Sequence, residues 1–251
     1  MKNESWPEGY GRRVLASVDS TLSEAGRVAP TLSGPEWILA LEQTAARGRR
    51  GRAWAMPPGN FAATLVLPID EAPGQAALRS FVMSLALRDA FVAATGREDA
   101  FALKWPNDVL LRGGKVAGIL LESVGAGARL THLSIGIGVN LASAPDISEV
   151  EEGAVPPVAL RSALGTVVTP EDFLTLLATA YARHEDQFRT YGFAPIRTAW
   201  LAQAAKLGEV ITARTTRDTH TGTFVDVDAD GQLVLETAKS RITIPAGDVY
   251  F

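Results

Sequence analysis

Between residues 101 and 141 the chain passes through apolar runs separated by turn-forming residues, and this constrains the fold more than any other feature. "FALKWPNDVLL" (101–111) is apolar on both sides of a polar turn. Asn107 and Asp108 follow Pro106 there, and short polar side chains that bond their own backbone suit a turn. "RGGK" (112–115) has the composition of a hairpin tip. "VAGILLESV" and "LSIGIGVNL" follow, both apolar and both marked by glycine. Short apolar runs bounded by turn signals fill buried strands. The stretch therefore predicts neighbouring strands in a sheet, with Lys104 and Lys115 placed among them.

The flanking segments predict the rest of an α+β unit. "RVLASV" (13–18) reads as a short strand, and "DSTLSEA" follows it with the capping residues Asp19 and Ser20. "EWILALEQT" (36–44) reads as a strand, and "FAATLVLP" (61–68) as another, closed by Pro68. Residues 76–95 carry Leu78, Phe81, Val82, Leu85 and Val92 on one helical stripe. Residues 144–168, rich in proline, glycine and acid, read as an irregular connection. "TPEDFLTLLATAYARHEDQFRTYG" (169–192) is the clearest helix: Thr169 can cap it, Pro170 suits its first position, and Gly192 suits its end. Phe173, Leu176, Leu177, Ala180, Tyr181, His184 and Phe188 form its apolar face.

From Leu207 the texture changes. "EVITART", "GTFVDV", "GQLVLE" and "RITIPAG" are short strand-like runs, and "DADG" (228–231) between two of them is a hairpin signal. The expected organisation is a larger α+β domain over 1–206 and a small β-barrel over 207–251, the latter too small to be stable alone.

Several functional classes drop out. With no cysteine, disulfides and thiolate metal sites are excluded. His132, His184 and His220 are scattered, so no histidine-rich metal site is expected. His184 reads as a core residue, His132 as a strand residue and His220 as a turn residue. No apolar run approaches the roughly 20 residues that span a bilayer. "MKNESWPEGYGRR" lacks the apolar stretch of a secretion signal. The expectation is a cytoplasmic protein with no membrane partner.

Against a formal net charge of −4, one stretch stands out. "TAARGRRGRAWAMPPGN" (44–60) holds Arg47, Arg49, Arg50 and Arg52, spaced by Gly48 and Gly51. Glycine lets a backbone approach a ligand closely, and arginine grips oxyanions in a bidentate way at any working pH. The stretch can be a lid over a phosphate or carboxylate, a solvated basic loop, or an RNA contact. Lys104 and Lys115 pose a related question, because a buried ammonium is costly without an anion or carboxylate beside it. Either can snorkel to solvent at a strand end; Lys115, close to Gly118, is the stronger candidate for chemistry. Asn140 ends the apolar "GIGVN" run, and its amide can bond a loop backbone or a nucleotide. Trp54 can stack on a flat ligand, whereas Trp105 reads as a packing residue.

Taken in order, these stretches resemble the biotin–protein ligase family (biotin–[acetyl-CoA-carboxylase] ligases). The matching pieces are "VDSTLSEA", "ARGRRGRAW" with "PPGN", "KWPNDVLLRGGKVAGILLE", "GIGVN" and the barrel-like terminus. The resemblance implies a mixed β-sheet catalytic domain with packed helices, of class II synthetase-like biotin/lipoate ligase type, and an SH3-like barrel. It implies that biotin is activated by ATP with Mg²⁺ to biotinyl-5′-AMP and passed to a lysine of a biotin carboxyl carrier domain. By the same resemblance, Ser20, Thr21, Leu22, Gln43, Arg47, Gly48, Arg49, Lys115 and Gly118 bind biotin. Arg49, Arg50, Arg52, Trp54, Asn107, Asp108 and Asn140 bind ATP or the adenylate. Lys115, Arg49 and Arg52 act in catalysis, and no dedicated protein ligands for a metal are implied. Two positions depart from the family: Leu22 stands where asparagine is usual, and Ala46 where the loop's first glycine is usual. Only 18 residues precede Asp19, so neither a DNA-binding domain nor repressor activity is expected; a homodimer is compatible with the resemblance. The rivals are a lipoate or octanoate transferase, whose histidine-bearing segment is not found near residues 44–60, an RNA-binding module, and a biotin-binding protein without catalysis.

Overall fold

A computed structural model describes residues 5–48, 51, 54–126, 128–150 and 153–251. The expected strands join one mixed sheet of seven: β1 (Gly11–Leu15), β2 (Glu36–Ala40), β3 (Phe61–Glu71), β4 (Phe101–Lys104), β5 (Asp108–Leu111), β6 (Gly114–Ala126) and β7 (Arg129–Val139), in the order β1-β2-β3-β7-β6-β5-β4. β1 runs parallel to β2, and the other neighbours are antiparallel.

Alternation along the central strands separates core from site, because successive side chains point to opposite faces. Leu133, Ile135, Ile137 and Val139 of β7 are buried in the main core, with Ala117 and Ile119 of β6 and Phe61, Ala63 and Leu65 of β3. Helices α3 (Arg79–Thr95) and α5 (Pro170–Tyr191) cover that face, after the short helices α1 (Thr21–Val28), α2 (Pro73–Ala77) and, between them, α4 (Leu160–Leu164); α6 (Phe193–Leu201) completes the helical layer. On the opposite face, β7 presents Gly136 and Gly138, and α1 packs against β3 and β7.

The sequence expectations are adjusted in detail. β1 and β2 are shorter than the apolar runs that announced them. β3 continues past Pro68 to Glu71, with its register shifting between those residues; proline's missing N–H is accommodated at such an irregularity. The helix expected over 76–95 is divided at Leu78 into α2 and α3. α3 is not one-sided, being buried around most of its circumference between sheet and helices. α5 follows expectation: the Asp172 N–H donates to the Thr169 hydroxyl at 3.1 Å, and Gly192 ends the helix at φ 74°.

The C-terminal strands β8 (Val210–Arg214), β9 (Thr219–Val227), β10 (Leu233–Glu236), β11 (Arg241–Ile244) and β12 (Asp248–Tyr250) form a separate antiparallel SH3-like sheet, ordered β11-β10-β9-β8-β12. His220 lies in β9 rather than in a turn. Trp105 ties the two sheets together: it is buried, and its indole N–H donates to the Gly231 carbonyl at 3.0 Å. Among the described residues, no helix is long and apolar enough to cross a membrane.

Candidate active site

The glycine-bearing face of β6 and β7 opens into a cavity of about 690 Å³. Gly118 and Gly138 sit opposite each other in the β6–β7 register, and together they make a flat patch of backbone. The indole of Trp54 lies on it. A methyl group on Gly138 would stand 2.5 Å from Trp54 Cε2, and one on Gly118 would stand 3.4 Å from Cζ3. Gly136 is filled in the same way by Leu22: a methyl there would stand 2.7 Å from Leu22 Cδ1. Leu22, the first departure from the family, therefore packs as part of the floor.

One end of the cavity is a chain of neutral hydrogen-bonding groups. The Thr64 hydroxyl donates to the Thr21 hydroxyl at 2.9 Å. Thr21 donates to Gln43 Oε1 through its backbone N–H at 2.7 Å and its hydroxyl at 3.2 Å. Ser20 is buried at the N-cap of α1, yet its side chain makes no capping bond. A neutral polar ligand group at this end would meet hydroxyls and an amide instead of charge.

The other end is cationic. Lys115 Nζ lies 2.7 Å from Asp108 Oδ1 and 5.6 Å from the centre of the Trp54 ring. Lys104 Nζ lies 3.6 Å from Asp108 Oδ2. Burial pushes the Lys104 ammonium below the usual lysine range; the charge of Lys115 adds to this, while Asp108 and, at longer range, Asp248 oppose it. Lys104 thus does not snorkel: it is 8% exposed and belongs to the cavity wall. The turn that aims Asp108 is fastened by Asn107, whose amide donates to the Ile119 carbonyl at 2.5 Å. Lys115 is held through its backbone, its N–H donating to Pro156 and its carbonyl accepting from Val158. Asn140 also lines the cavity, and its buried Oδ1 has no hydrogen-bond partner among the described residues. A buried amide oxygen left unbonded is costly, and a donor on a bound molecule would relieve it.

Ser20, Thr21, Leu22, Gln43, Arg47, Gly48, Trp54, Asn107, Asp108, Lys115, Gly118 and Asn140 all line this one cavity. Arg49, Arg50 and Arg52 lie outside the described residues. Arg47 is described, and its guanidinium engages Glu122 and Ser23. Ala46 is not among the positive-φ residues, so the missing glycine there imposes no strain. Sequence reasoning missed Gly136 and Gly138, although glycine at alternate positions of an apolar strand was a visible signal. It also missed Asp248 and Tyr250, which reach the cavity from β12 and carry no local signal. Among the described residues, no group of three or more His, Asp or Glu is arranged to hold a metal ion.

Comparison with known proteins bears on this geometry. The pattern of the "Biotin/lipoate A/B protein ligase family" matches residues 12–140, and that of the "Biotin protein ligase C terminal domain" matches residues 206–251. A biotin–[acetyl-CoA-carboxylase] ligase of Paracoccus denitrificans is 56% identical over 95% of this chain and 99% of its own length. The bifunctional ligase/repressor BirA of Bacillus subtilis is 30% identical over 94% of this chain and 71% of its own. A biotin protein ligase from Aquifex aeolicus, solved with biotin and ATP, superposes with a TM-score of 0.78 at 24% identity, covering 95% of this chain and 97% of its own. At that identity the likeness shows the fold.

Proposed function

Because the chain belongs to the biotin/lipoate A/B protein ligase family, we propose that its cavity joins biotin to ATP as biotinyl-5′-AMP and passes the biotinyl group to a lysine of a biotin carboxyl carrier domain. The protein is a biotin–[acetyl-CoA-carboxylase] ligase, and biotin and ATP are its substrates. The observation that carries the site assignment is the cavity's polarity: neutral hydrogen-bonding groups at Thr21 and Gln43, paired ammonium groups at Lys104 and Lys115, and a flat glycine floor between.

The chemistry follows from that polarity. The ureido ring of biotin is neutral and polar, and suits the Ser20–Thr21–Gln43 end. Its carboxylate then points toward Lys115 and attacks the α-phosphorus of ATP, and pyrophosphate leaves. Negative charge grows on the phosphoryl oxygens during this displacement. An ammonium preorganised by Asp108 stabilises it, which is usually the largest catalytic contribution. Asp108 keeps Lys115 in place without leaving the cavity. Asn140 offers its unbonded amide oxygen to the nucleotide. Arg49, Arg50 and Arg52 are read as closing on the adenylate and shielding the mixed anhydride from water. A carrier lysine then attacks the acyl carbon, and AMP leaves.

Mg²⁺ fits as an ion carried by the triphosphate, since such ions use one or two carboxylates plus phosphate oxygens. Asp108 and Asp248 are the carboxylates on the cavity wall. The ion's contribution is to neutralise phosphate charge. We read 1–206 as the catalytic domain and 207–251 as the C-terminal domain, supported by the separate sheet of β8–β12. The reading is of a cytoplasmic enzyme that acts without DNA, for which the net charge of −4 is supporting evidence, and it is compatible with a homodimer. Specific operator binding in a gel-shift assay would overturn the DNA part.

The test is direct. Protein, biotin, ATP, Mg²⁺ and a carrier domain are mixed, and intact mass is measured. One added biotinyl group on the carrier, absent when ATP is omitted, is the expected result; an unchanged carrier mass refutes the activity.

A further inference from the structure

Arg47 is the first of the loop's arginines, and its Nε, Nη1 and Nη2 all engage protein. Nε and Nη2 donate to Glu122 at 3.1, 3.0 and 2.9 Å, and Nη1 donates to the Ser23 hydroxyl at 2.8 Å. Glu122 lies on β6 and Ser23 in the first turn of α1, so one guanidinium joins the loop to two other elements. The backbone on either side is fastened as well. The Ala45 N–H donates to the Asp19 carbonyl at 2.8 Å, and the Trp54 N–H donates to the Ala46 carbonyl at 3.1 Å. The second bond closes the base of the loop that carries all four arginines. A bidentate arginine–carboxylate pair is geometrically specific as well as strong, and a guanidinium committed in this way is poorly placed to grip a ligand's oxyanion.

We infer that Glu122 is a positioning residue for the ligase reaction: through Arg47 it fixes the base of the arginine loop at the edge of the cavity. Arg47 then serves as the loop's anchor, and its stem lines the cavity without its charge being the ligand's counter-ion. The inference rests on the cavity being the biotin site. Without the anchor, the placement of Arg47 beside the cavity has to be supplied when biotin binds, so biotin binding weakens while the chemical step stays intact.

The pair is partly exposed, at 35% for Arg47 and 40% for Glu122, and such pairs support an effect of about fivefold. A double-mutant cycle reads it. Glu122→Ala and Arg47→Ala are each expected to raise KM for biotin in ATP–pyrophosphate exchange about fivefold, with kcat changed less than about twofold. The double variant should be no worse than either single one, because both remove the same anchor. Glu122→Asp should restore part of the loss. Arg47→Ala far more damaging than Glu122→Ala, with additive effects in the double variant, would make Arg47 a direct ligand and overturn the proposal. A second readout does not depend on the reaction: without ligands, trypsin should cut after Arg47 about fivefold faster in Glu122→Ala than in the parent protein. Equal cutting rates would overturn the anchor even if the enzyme proves active. A parent protein without biotin-dependent exchange would instead count against the functional reading.

Discussion

Two cationic centres in this molecule are built on different plans. Arg79, at the start of α3, is 2% exposed and is enclosed by two carboxylates. It donates to Glu185 at 2.9, 3.0 and 3.1 Å and to Glu71 at 2.5 and 2.9 Å, and it lies 5.1 Å from the centre of the Phe188 ring. Glu185 also accepts from the Tyr181 hydroxyl at 3.0 Å. At the cavity two ammonium groups, Lys104 and Lys115, gather at the carboxylate of Asp108, with Asp248 also on the wall. The guanidinium is saturated from within the protein and contributes to the fold. The ammonium pair lines the open cavity, and the proposed reaction uses it beside an anionic substrate. Burial of charge does not by itself mark a site; what marks it is the balance of partners and the presence of room.

Substitutions can break this contrast. The largest expected effect on stability is at Arg79. Arg79→Met leaves Glu185 buried and without its counter-ion, which should cost about 3–5 kcal/mol in chemical denaturation. Exchange activity per folded molecule should stay within a few-fold of the parent. Loss of activity with full stability would remove the distinction between the two centres. Lys115→Ala should behave in the reverse way, slowing single-turnover labelling of the carrier about 10²–10³-fold while the melting temperature barely moves. Unfolding of that variant would make Lys115 a structural residue.

Gly138→Ala sharpens the contrast from the floor upward. Its methyl group would collide with the Trp54 ring, so the indole must leave the glycine patch. The expected cost is about 1–3 kcal/mol of overpacking or less if the indole swings free, with weaker biotin binding by calorimetry. Unchanged binding would mean that the patch is not part of the biotin seat. The smallest effect belongs to Tyr10, near the Arg79 centre. Burial and then the charge of Glu185 push its hydroxyl from 10.0 up to about 12. Because the folded value is the higher one, its neutral form contributes stability that is complete below pH 10 and is lost as pH rises toward about 12. Tyr10→Phe should therefore flatten part of the alkaline fall in denaturation midpoint. Identical curves for both proteins would contradict the shift.

The contrast also explains what could be read from the sequence. The lysines, the Asn107–Asp108 turn and the glycine-marked strands are local features, so the sheet and one side of the cavity were legible. Thr169, Pro170 and Gly192 marked the long helix by cap chemistry alone. Partners distant along the chain were not legible. Glu122 lies 75 residues from Arg47, and Glu185 lies 106 from Arg79; no spacing rule links them before the fold exists. Asp248 and Tyr250 enter the cavity only because β12 pairs with β8. The division of the 76–95 helix at Leu78 was hidden because the stripe of Leu78, Phe81, Val82 and Leu85 runs on without a break across it. Pro68 looked like a strand end, and an irregular register carries β3 past it.

In the proposed reaction the cavity joins the carboxylate of biotin to AMP beside the Lys115 ammonium. Exchange of labelled pyrophosphate into ATP, with no carrier present, tests that step in isolation. Exchange that requires biotin is expected in the parent protein, falling about 10²–10³-fold in Lys115→Ala. Exchange that proceeds without biotin, or at the parent rate in Lys115→Ala, would contradict it.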